Sequence, residues 1–288
     1  MIRSCCVTFA IALTTVSLFG AGWKSVGPGV DYQEFTPKAP FTYHVARIDL
    51  TSGKIRPIVS SETDRGLTVS GFASKREAII AVNGDYFDPQ MMPIGLTTGP
   101  CGPWKARSNA STRKEAVVAV TANRADILEP GEQGGAPPSW SDHALSGWPV
   151  LVRGCKALSD ELPGSASFTR APHARTAVGL SADHKTLFLV VVDGQKDGSA
   201  GVTLPDLAAF MRRRLHVCEA VNLDGGGSSA MSIQNKLVTA PTEGAERPVA
   251  NHLGIILAKD YDGCPESSTL QEPSTTTAER ARPPLPAP

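Results

Sequence analysis

The sequence predicts an α+β fold, a single domain in which a mostly antiparallel or mixed β-sheet is packed by a few helices. Three observations lead there. Short apolar runs bounded by Gly, Pro, Asn and Ser recur along the chain, one segment carries a clear helical period, and strands and helices never settle into a repeated βαβ order. A doubly wound parallel sheet would need that repeat.

Residues 41–50 alternate around Tyr43, Val45 and Ile48, and Thr51-Ser52-Gly53 supplies a turn before 54–59, so the pair reads as an opening hairpin. Residues 68–75 fit a short helix, and an apolar strand at 78–82 then runs into Asn83-Gly84-Asp85-Tyr86-Phe87-Asp88. The runs at 116–120 and 125–128 pair around Asn123. Residues 129–148 hold Gly131, Gly134, Gly135, Pro137 and Pro138 and read as a loop, of a length that usually covers a site or moves. A strand follows at 149–153. Runs at 176–180 and 187–192 flank 181–185 as an antiparallel pair.

Thr203 offers an N-cap with Asp206 in the capping-box position, and Leu204, Leu207, Ala208, Met211 and Leu215 share one helical face. Arg212, Arg213 and Arg214, the one compact basic run, then face mainly solvent. A strand at 220–223, a glycine loop, a hairpin at 231–238 turning at Gln234-Asn235 and a strand at 253–257 complete the order.

The chain ends bound the domain. Residues 1–22 have Arg3, an apolar run at 6–19 and the small residues Gly20, Ala21 and Gly22, the layout of a secretory signal peptide, so a secreted or periplasmic protein is expected. Residues 23–40 form an N-terminal lead-in, 41–265 the folded domain, and 266–288 a Pro/Ser/Thr-rich tail too poor in apolar residues to order itself. No other segment approaches a membrane span, so none is expected after signal removal. Cys101, Cys155, Cys218 and Cys264 remain, an even number that favours disulfides in an exported chain and leaves three pairings open. With 28 basic and 28 acidic residues and no basic stripe, nucleic acid is excluded as a partner class. Oligomeric state is not legible.

The most informative segment is Asn222-Leu223-Asp224-Gly225-Gly226-Gly227-Ser228-Ser229-Ala230-Met231. A carboxylate followed by three glycines after an apolar run suggests a turn shaped for close approach, with Asp224 beside free N–H groups that suit an anionic or polyhydroxylated ligand. It is not a P-loop, HExxH does not occur, and no Gly-x-Ser-x-Gly elbow surrounds Ser228 or Ser229. Asp85, Asp88, Asp193 and Asp224 match no calcium loop. No essential cofactor or catalytic metal is expected, and a structural calcium stays open.

Five segments occur in order: Asn83-Gly84-Asp85-Tyr86-Phe87, Arg175-Thr176-Ala177-Val178-Gly179, Val191-Val192-Asp193-Gly194, the glycine loop, and Arg247-Pro248-Val249-Ala250-Asn251-His252-Leu253-Gly254. Together they resemble the motif series of the phosphodiester glycosidase family over roughly 41–257. The resemblance implies an exported glycosidase that hydrolyses the sugar C1–O bond of a sugar-1-phosphodiester, with an α-N-acetylglucosaminyl diester as one such substrate. It marks Asp224, Asp85, Asp193 and His252 as catalytic candidates. Asn83, Gly84, Arg175, Asn222, Gly225, Gly226, Gly227, Ser228 and Asn251 are the substrate-binding candidates.

Chemistry assigns their roles. An oxocarbenium-like centre calls for a carboxylate, with Asp224 first, Asp85 second and Asp193 third. Arg175 suits the diester anion through its planar fork, and the asparagines suit sugar hydroxyls. His252 suits proton transfer or phosphate binding. The alternative is a noncatalytic carbohydrate or cell-envelope polysaccharide binding or assembly protein, a binding module stacking sugars on Trp104, Trp140, Trp148 and Tyr86 or an assembly protein making contact through the Pro-rich tail. An aromatic content of 6% counts against the module.

Overall fold

A computed structural model describes residues 22–37, 41–105, 115–129, 136–160, 162–194 and 201–264. The signal-peptide reading, Gly22 apart, and the tail reading at 266–288 fall outside these residues. The described chain is an α+β domain whose named strand pairs are all antiparallel.

Its strands form three sheets. The eight-stranded sheet runs in the order Lys24–Gly27, Val30–Phe35, Tyr43–Asp49, Thr186–Val192, Arg175–Leu180, Glu219–Asn222, Val150–Arg153, Lys156–Ala157. A five-stranded sheet has Ile80–Asn83 at its centre, between Met231–Ile233 and His252–Leu257, and Ile55–Val59 at one edge. The other five-stranded sheet is built around His143–Gly147 and Ala116–Thr121. Residues 23–40, read as a lead-in, thus supply two strands to the largest sheet.

Side-chain alternation explains the layers. In Thr186–Val192, Leu187, Leu189 and Val191 enter the central core, whereas Phe188, Val190 and Val192 face the opposite cluster under helix α3 (Leu204–Arg214). In His252–Leu257, Leu253 and Ile255 enter the same central core from the other side, and Ile256 joins the cluster under helix α1 (Val69–Lys75). Each sheet is therefore apolar on both faces, which a period of two alone does not announce. Two glycines seat the helices. A Cβ on Gly179 would come within 2.8 Å of Met211 Cε in α3, and one on Gly254 within 2.9 Å of Phe72 Cε1 in α1.

Local signals held where they were local. Thr203 caps α3, its hydroxyl oxygen accepting the Asp206 N–H at 3.1 Å while the hydroxyl donates to the Asp206 carboxylate at 2.7 Å. The 231–238 hairpin turns at Gln234 and Asn235, whose φ values of 49° and 62° lie in the left-handed region. The expected hairpin at 41–59 does not form. Tyr43–Asp49 pairs with Val30–Phe35 and Thr186–Val192, whereas Ile55–Val59 crosses to the other sheet and pairs with His252–Leu257. Ile48 and Leu50 reach the central core from one sheet, and Ile55 and Val59 line it from another. The 129–148 stretch also differs from expectation. His143–Gly147 is a buried strand, and Gly147 lets the Asn222 carbonyl approach to 2.8 Å from where a Cβ would stand.

Of the three cysteine pairings, the structure has Cys101–Cys264 and Cys155–Cys218. The second joins residues 63 apart in sequence, and closing a loop of that length in the unfolded chain contributes about 4 kcal/mol in the chain-entropy account. Replacing Cys155 and Cys218 together by Ala should lower stability by about 2–5 kcal/mol in denaturant titration.

Two histidines sit inside the fold. His252 is fully buried, its ring stacked on Phe72 at 4.6 Å and its Nε2 hydrogen-bonded to the Leu67 carbonyl at 3.1 Å. His143 is also fully buried, and neither ring nitrogen has a hydrogen-bond partner among the described residues. Burial pushes both rings down to about 4. Arg56 pushes His143 the same way, and the Leu67 carbonyl only partly opposes the shift of His252. The unfolded rings bind protons below about pH 6.5 and the folded rings only below about 4, so this contribution is complete above 6.5 and lost as pH falls through that window. We expect the melting temperature to fall between pH 7 and 4.5. His143→Phe, which breaks no hydrogen bond seen here, should flatten that dependence.

Candidate functional site

The five sequence motifs come to one end of the sandwich, where Ile80–Asn83, Thr186–Val192 and Glu219–Asn222 end and Arg175–Leu180 and His252–Leu257 begin. Asn83 joins them. Its Nδ2 donates to the Asp224 carbonyl at 2.8 Å, and its Oδ1 accepts from the Thr176 hydroxyl at 2.7 Å and the Ala230 N–H at 3.3 Å. One carboxamide thereby ties the Ile80–Asn83 sheet to the eight-stranded sheet and to both sides of the glycine loop.

Asn251 does the same for the first motif. Its carbonyl accepts the Gly84 N–H at 2.9 Å, its Oδ1 accepts the Asp85 N–H at 2.7 Å, and its Nδ2 donates to Thr97 Oγ1 at 2.7 Å. A Cβ on Gly84 would collide with the Asn251 side chain. Gly84 in turn accepts the Asp224 N–H at 3.0 Å through its carbonyl. The backbone of Asp224 is thus held at both its N–H and its carbonyl.

The Asp224 side chain lies at this junction, half-buried, with Oδ1 accepting the Gly225 N–H at 2.8 Å. The glycines serve packing more than anion capture. Gly226 N–H donates to the Ala174 carbonyl at 2.9 Å and Gly225 N–H is taken by Asp224, so two of the three N–H groups expected for a ligand already have protein acceptors. A Cβ on Gly225 would come within 2.9 Å of the Ala174 carbonyl, and Gly226 has φ +60°. Ser228 is buried, its Oγ accepting from Arg247 Nη1 at 3.4 Å. No histidine hydrogen-bonds to Ser228 or Ser229 among the described residues, and His173 is bound to the Ser167 carbonyl instead.

Arg175 lies beside the loop, 2% exposed. Its Nε donates to the Val202 carbonyl at 3.2 Å, and its Nη2 donates to the carbonyls of Phe168 at 2.6 Å and Ala171 at 3.0 Å. No carboxylate pairs with it among the described residues, and Nη1 has no protein acceptor there. Desolvation lowers its pKa to about 10, and Tyr86 opposes that shift, so the guanidinium stays charged near neutral pH.

The other carboxylates are more enclosed. Asp85 is 1% exposed and its Oδ2 accepts the Gly95 N–H at 3.0 Å. Asp193 is 9% exposed; its Oδ2 meets His44 Nε2 at 3.0 Å and its Oδ1 accepts the Ala240 N–H at 3.0 Å, which fastens the 239–240 turn to the end of the sheet. His252 is not brought to Asp224. Leu253 enters the central core, so the preceding ring turns the other way, under α1.

Asn222 is fully buried, its Nδ2 within hydrogen-bond distance of Tyr86 Oη at 2.6 Å and of the carbonyls of Leu223 at 2.6 Å and Trp148 at 3.1 Å. Tyr86, Trp148 and Phe168 line the same region as an aromatic cluster. Tyr86 stands next to Asp85 in its motif, and Trp148 ends the Gly/Pro-rich stretch. Phe168 had no sequence signal, because it sits in a short helical turn, α2 (Ala166–Thr169), between assigned elements. Among the described residues, no three His, Cys, Asp or Glu side chains gather as a metal-binding group.

The chain is 32% identical over 108 residues to the uncharacterized prophage-derived protein YomE of Bacillus subtilis (strain 168), a match covering 36% of this chain and 16% of that protein. It is 34% identical over 85 residues to the mouse N-acetylglucosamine-1-phosphodiester alpha-N-acetylglucosaminidase, covering 30% of this chain and 16% of the enzyme. The matches thus span about a sixth of the length of these curated relatives. The catalytic domain of the zebrafish enzyme of the same name, auto-inhibited by its pro-peptide, superposes with a TM-score of 0.59 at 20% identity, over 82% of this chain and 86% of that one, and so shares the fold. The profile of the phosphodiester glycosidase family matches residues 76–256, more than half of the 288-residue sequence and a span that includes all five motifs, and the chain belongs to that family.

Proposed function

We propose that this protein hydrolyses the C1–O bond of a sugar-1-phosphodiester. The observation that carries the reading is Arg175, a buried cation whose described partners are backbone carbonyls and no carboxylate, next to Gly225 in the loop that carries the half-buried Asp224. Burying a charge is costly unless it is compensated, and an anionic ligand at Nη1 would supply the compensation. The mouse relative's name supplies the first substrate to test, an α-N-acetylglucosaminyl phosphodiester.

In this reading the C1–O bond breaks, the bonding pair leaves with the phosphate monoester, and water supplies the hydroxyl at C1. A phosphate monoester departs readily, so little protonation of the leaving oxygen is required. Asp224 stabilises the positive charge that develops at C1, either directly as nucleophile or by taking the proton of the attacking water. Arg175 binds the phosphate as negative charge accumulates on it. Asn83, Asn222 and Asn251 act as positioning residues, since their amide groups already hold the loop and the first motif. The proposal includes export to a secreted or periplasmic location, where the two disulfides would persist.

The aromatic cluster at Trp148 favours a second reading, a carbohydrate-binding protein without turnover. Product analysis on a panel of sugar-1-phosphodiesters and uncharged α-glycosides, with and without chelator, separates the two. Absence of turnover across the panel, with sugar binding retained, would establish the binder. If the enzyme reading holds, Asp224→Asn should keep its fold and lose about 100-fold or more in kcat. Arg175→Lys should reduce kcat/KM about tenfold or more for the diester and less for an uncharged glycoside. Equal losses on both would refute anion recognition by Arg175.

A further inference from the structure

Glu34, Tyr32, His44 and Asp193 form one hydrogen-bonded chain across three adjacent strands of the eight-stranded sheet. Glu34 lies opposite His44 in the pairing of Val30–Phe35 with Tyr43–Asp49, and His44 lies opposite Val191 in the pairing with Thr186–Val192. Side chains two apart in a strand share a face, which brings Tyr32 beside Glu34 and Asp193 beside Val191. Tyr32 Oη lies 2.8 Å from Glu34 Oε1 and 2.7 Å from His44 Nδ1, and His44 Nε2 lies 3.0 Å from Asp193 Oδ2. Tyr32, His44 and Asp193 are buried and Glu34 is exposed, so the chain runs from solvent into the interior. Ala46, Ile48, Leu189 and Val191 on the same face are core residues, so packing alone does not call for polar groups here. The inner end adjoins the glycine loop. Val192 pairs with Arg175, and the next residues, Asp193 and Gly194, run beside Ala174, whose carbonyl accepts the Gly226 N–H.

The number of protons decides what the chain can carry. Three contacts of hydrogen-bond length need three protons, whereas Tyr32 and a neutral imidazole bring two and the two carboxylates bring none. Burial and the bond to Glu34 push the Tyr32 phenol well above its ordinary value, so it keeps its proton. Glu34 and Asp193 are the ionisable groups bonded to Tyr32 and to the His44 ring among the described residues. In hydrolysis the attacking water bonds to C1 through its oxygen and gives up a proton. With that proton on Asp193 Oδ2 every contact is filled: Asp193 donates to Nε2, Nδ1 to Tyr32 Oη, and Tyr32 to Glu34. One shift then moves a proton from Oδ2 to Nε2, from Nδ1 to Oη and from Oη to Oε1, and Glu34 releases the last to solvent.

We infer that Tyr32 and His44 are positioning residues of a proton relay, which takes the proton of the attacking water at Asp193 and releases it at Glu34. This rests on the hydrolysis reading and deepens it, since it leaves Asp224 to stabilise the charge at C1.

The test uses the full chain and the methyl diester of a sugar 1-phosphate. Tyr32→Phe leaves both bonds of Asp193 in place and cuts the relay, so kcat should fall about tenfold with KM within about twofold, and the solvent deuterium isotope effect on kcat should grow. Glu34→Gln should lose as much and regain it in formate buffer, because a small carboxylate can take its place at the exposed end. A kcat within twofold of wild type in either variant, a loss carried by KM alone, or a loss in Glu34→Gln that formate leaves unchanged overturns the relay. If Tyr32→Phe melts early, Glu34→Gln carries the test. If wild-type protein turns over no sugar-1-phosphodiester, the proposed reaction fails separately, and NMR titration of labelled protein still judges the shared proton. The Glu34 carboxyl carbon and the His44 ring nitrogens should change in one step in wild type and in separate steps in Tyr32→Phe. Separate steps in wild type, or one step in both, overturn it.

Discussion

The site end of this domain depends on the buried side chain of Asn83. One carboxamide satisfies the Asp224 carbonyl, the Thr176 hydroxyl and the Ala230 N–H, groups that belong to the eight-stranded sheet and to the two sides of the glycine loop. Apolar packing between sheets is non-directional and tolerates small slips. A three-point hydrogen bond does not. Each group left unsatisfied in the interior would cost about 1–3 kcal/mol, so the two sheets have one favoured setting relative to each other at the end where the motifs meet.

Charge is balanced differently in the two parts of the molecule. Asp64 is fully buried beside α1, with Lys75 and Arg76 each 2.7 Å from its carboxylate. Burial raises its pKa, but those two cations and the Ser61 N–H outweigh burial and hold it below the usual carboxylate range. That is a closed structural network. Arg175 is buried to a similar degree and has backbone carbonyls where Asp64 has two cations. Carbonyl dipoles orient a guanidinium without neutralising it, and this is the charge on which the proposed function rests.

Elements whose cause is local were legible from the residues. The Thr203 cap, the turn at Gln234 and Asn235, the 176–180 and 187–192 pair and the strand pair around Asn123 all depend on neighbours within a few positions. The failures share a cause. Residues 41–59 had a good turn and two good strands, but Tyr43–Asp49 is taken by Val30–Phe35 on one side and the distant Thr186–Val192 on the other, and Ile55–Val59 by the distant His252–Leu257. The strand His143–Gly147 was hidden because Gly147 and Ser146 read as loop residues, while their small size is what admits the neighbouring backbone.

For the site, the residue pattern singled out the glycine loop with Asp224, and the family resemblance added Asn83, Arg175 and Asn251, which the fold brings to the same end, along with His252, whose ring it turns the other way. Sequence alone also determined the family. Which atoms remain for a ligand was decided by tertiary structure, since hydrogen-bond capacity is spent across the fold and not along the chain. Asn83, Asn251 and two of the three glycine N–H groups are occupied by protein, and His252 faces a helix on the other side of its strand. What stands out in three dimensions is the buried charge of Arg175, with no carboxylate paired to it among the described residues, and an aromatic cluster of Tyr86, Trp148 and Phe168.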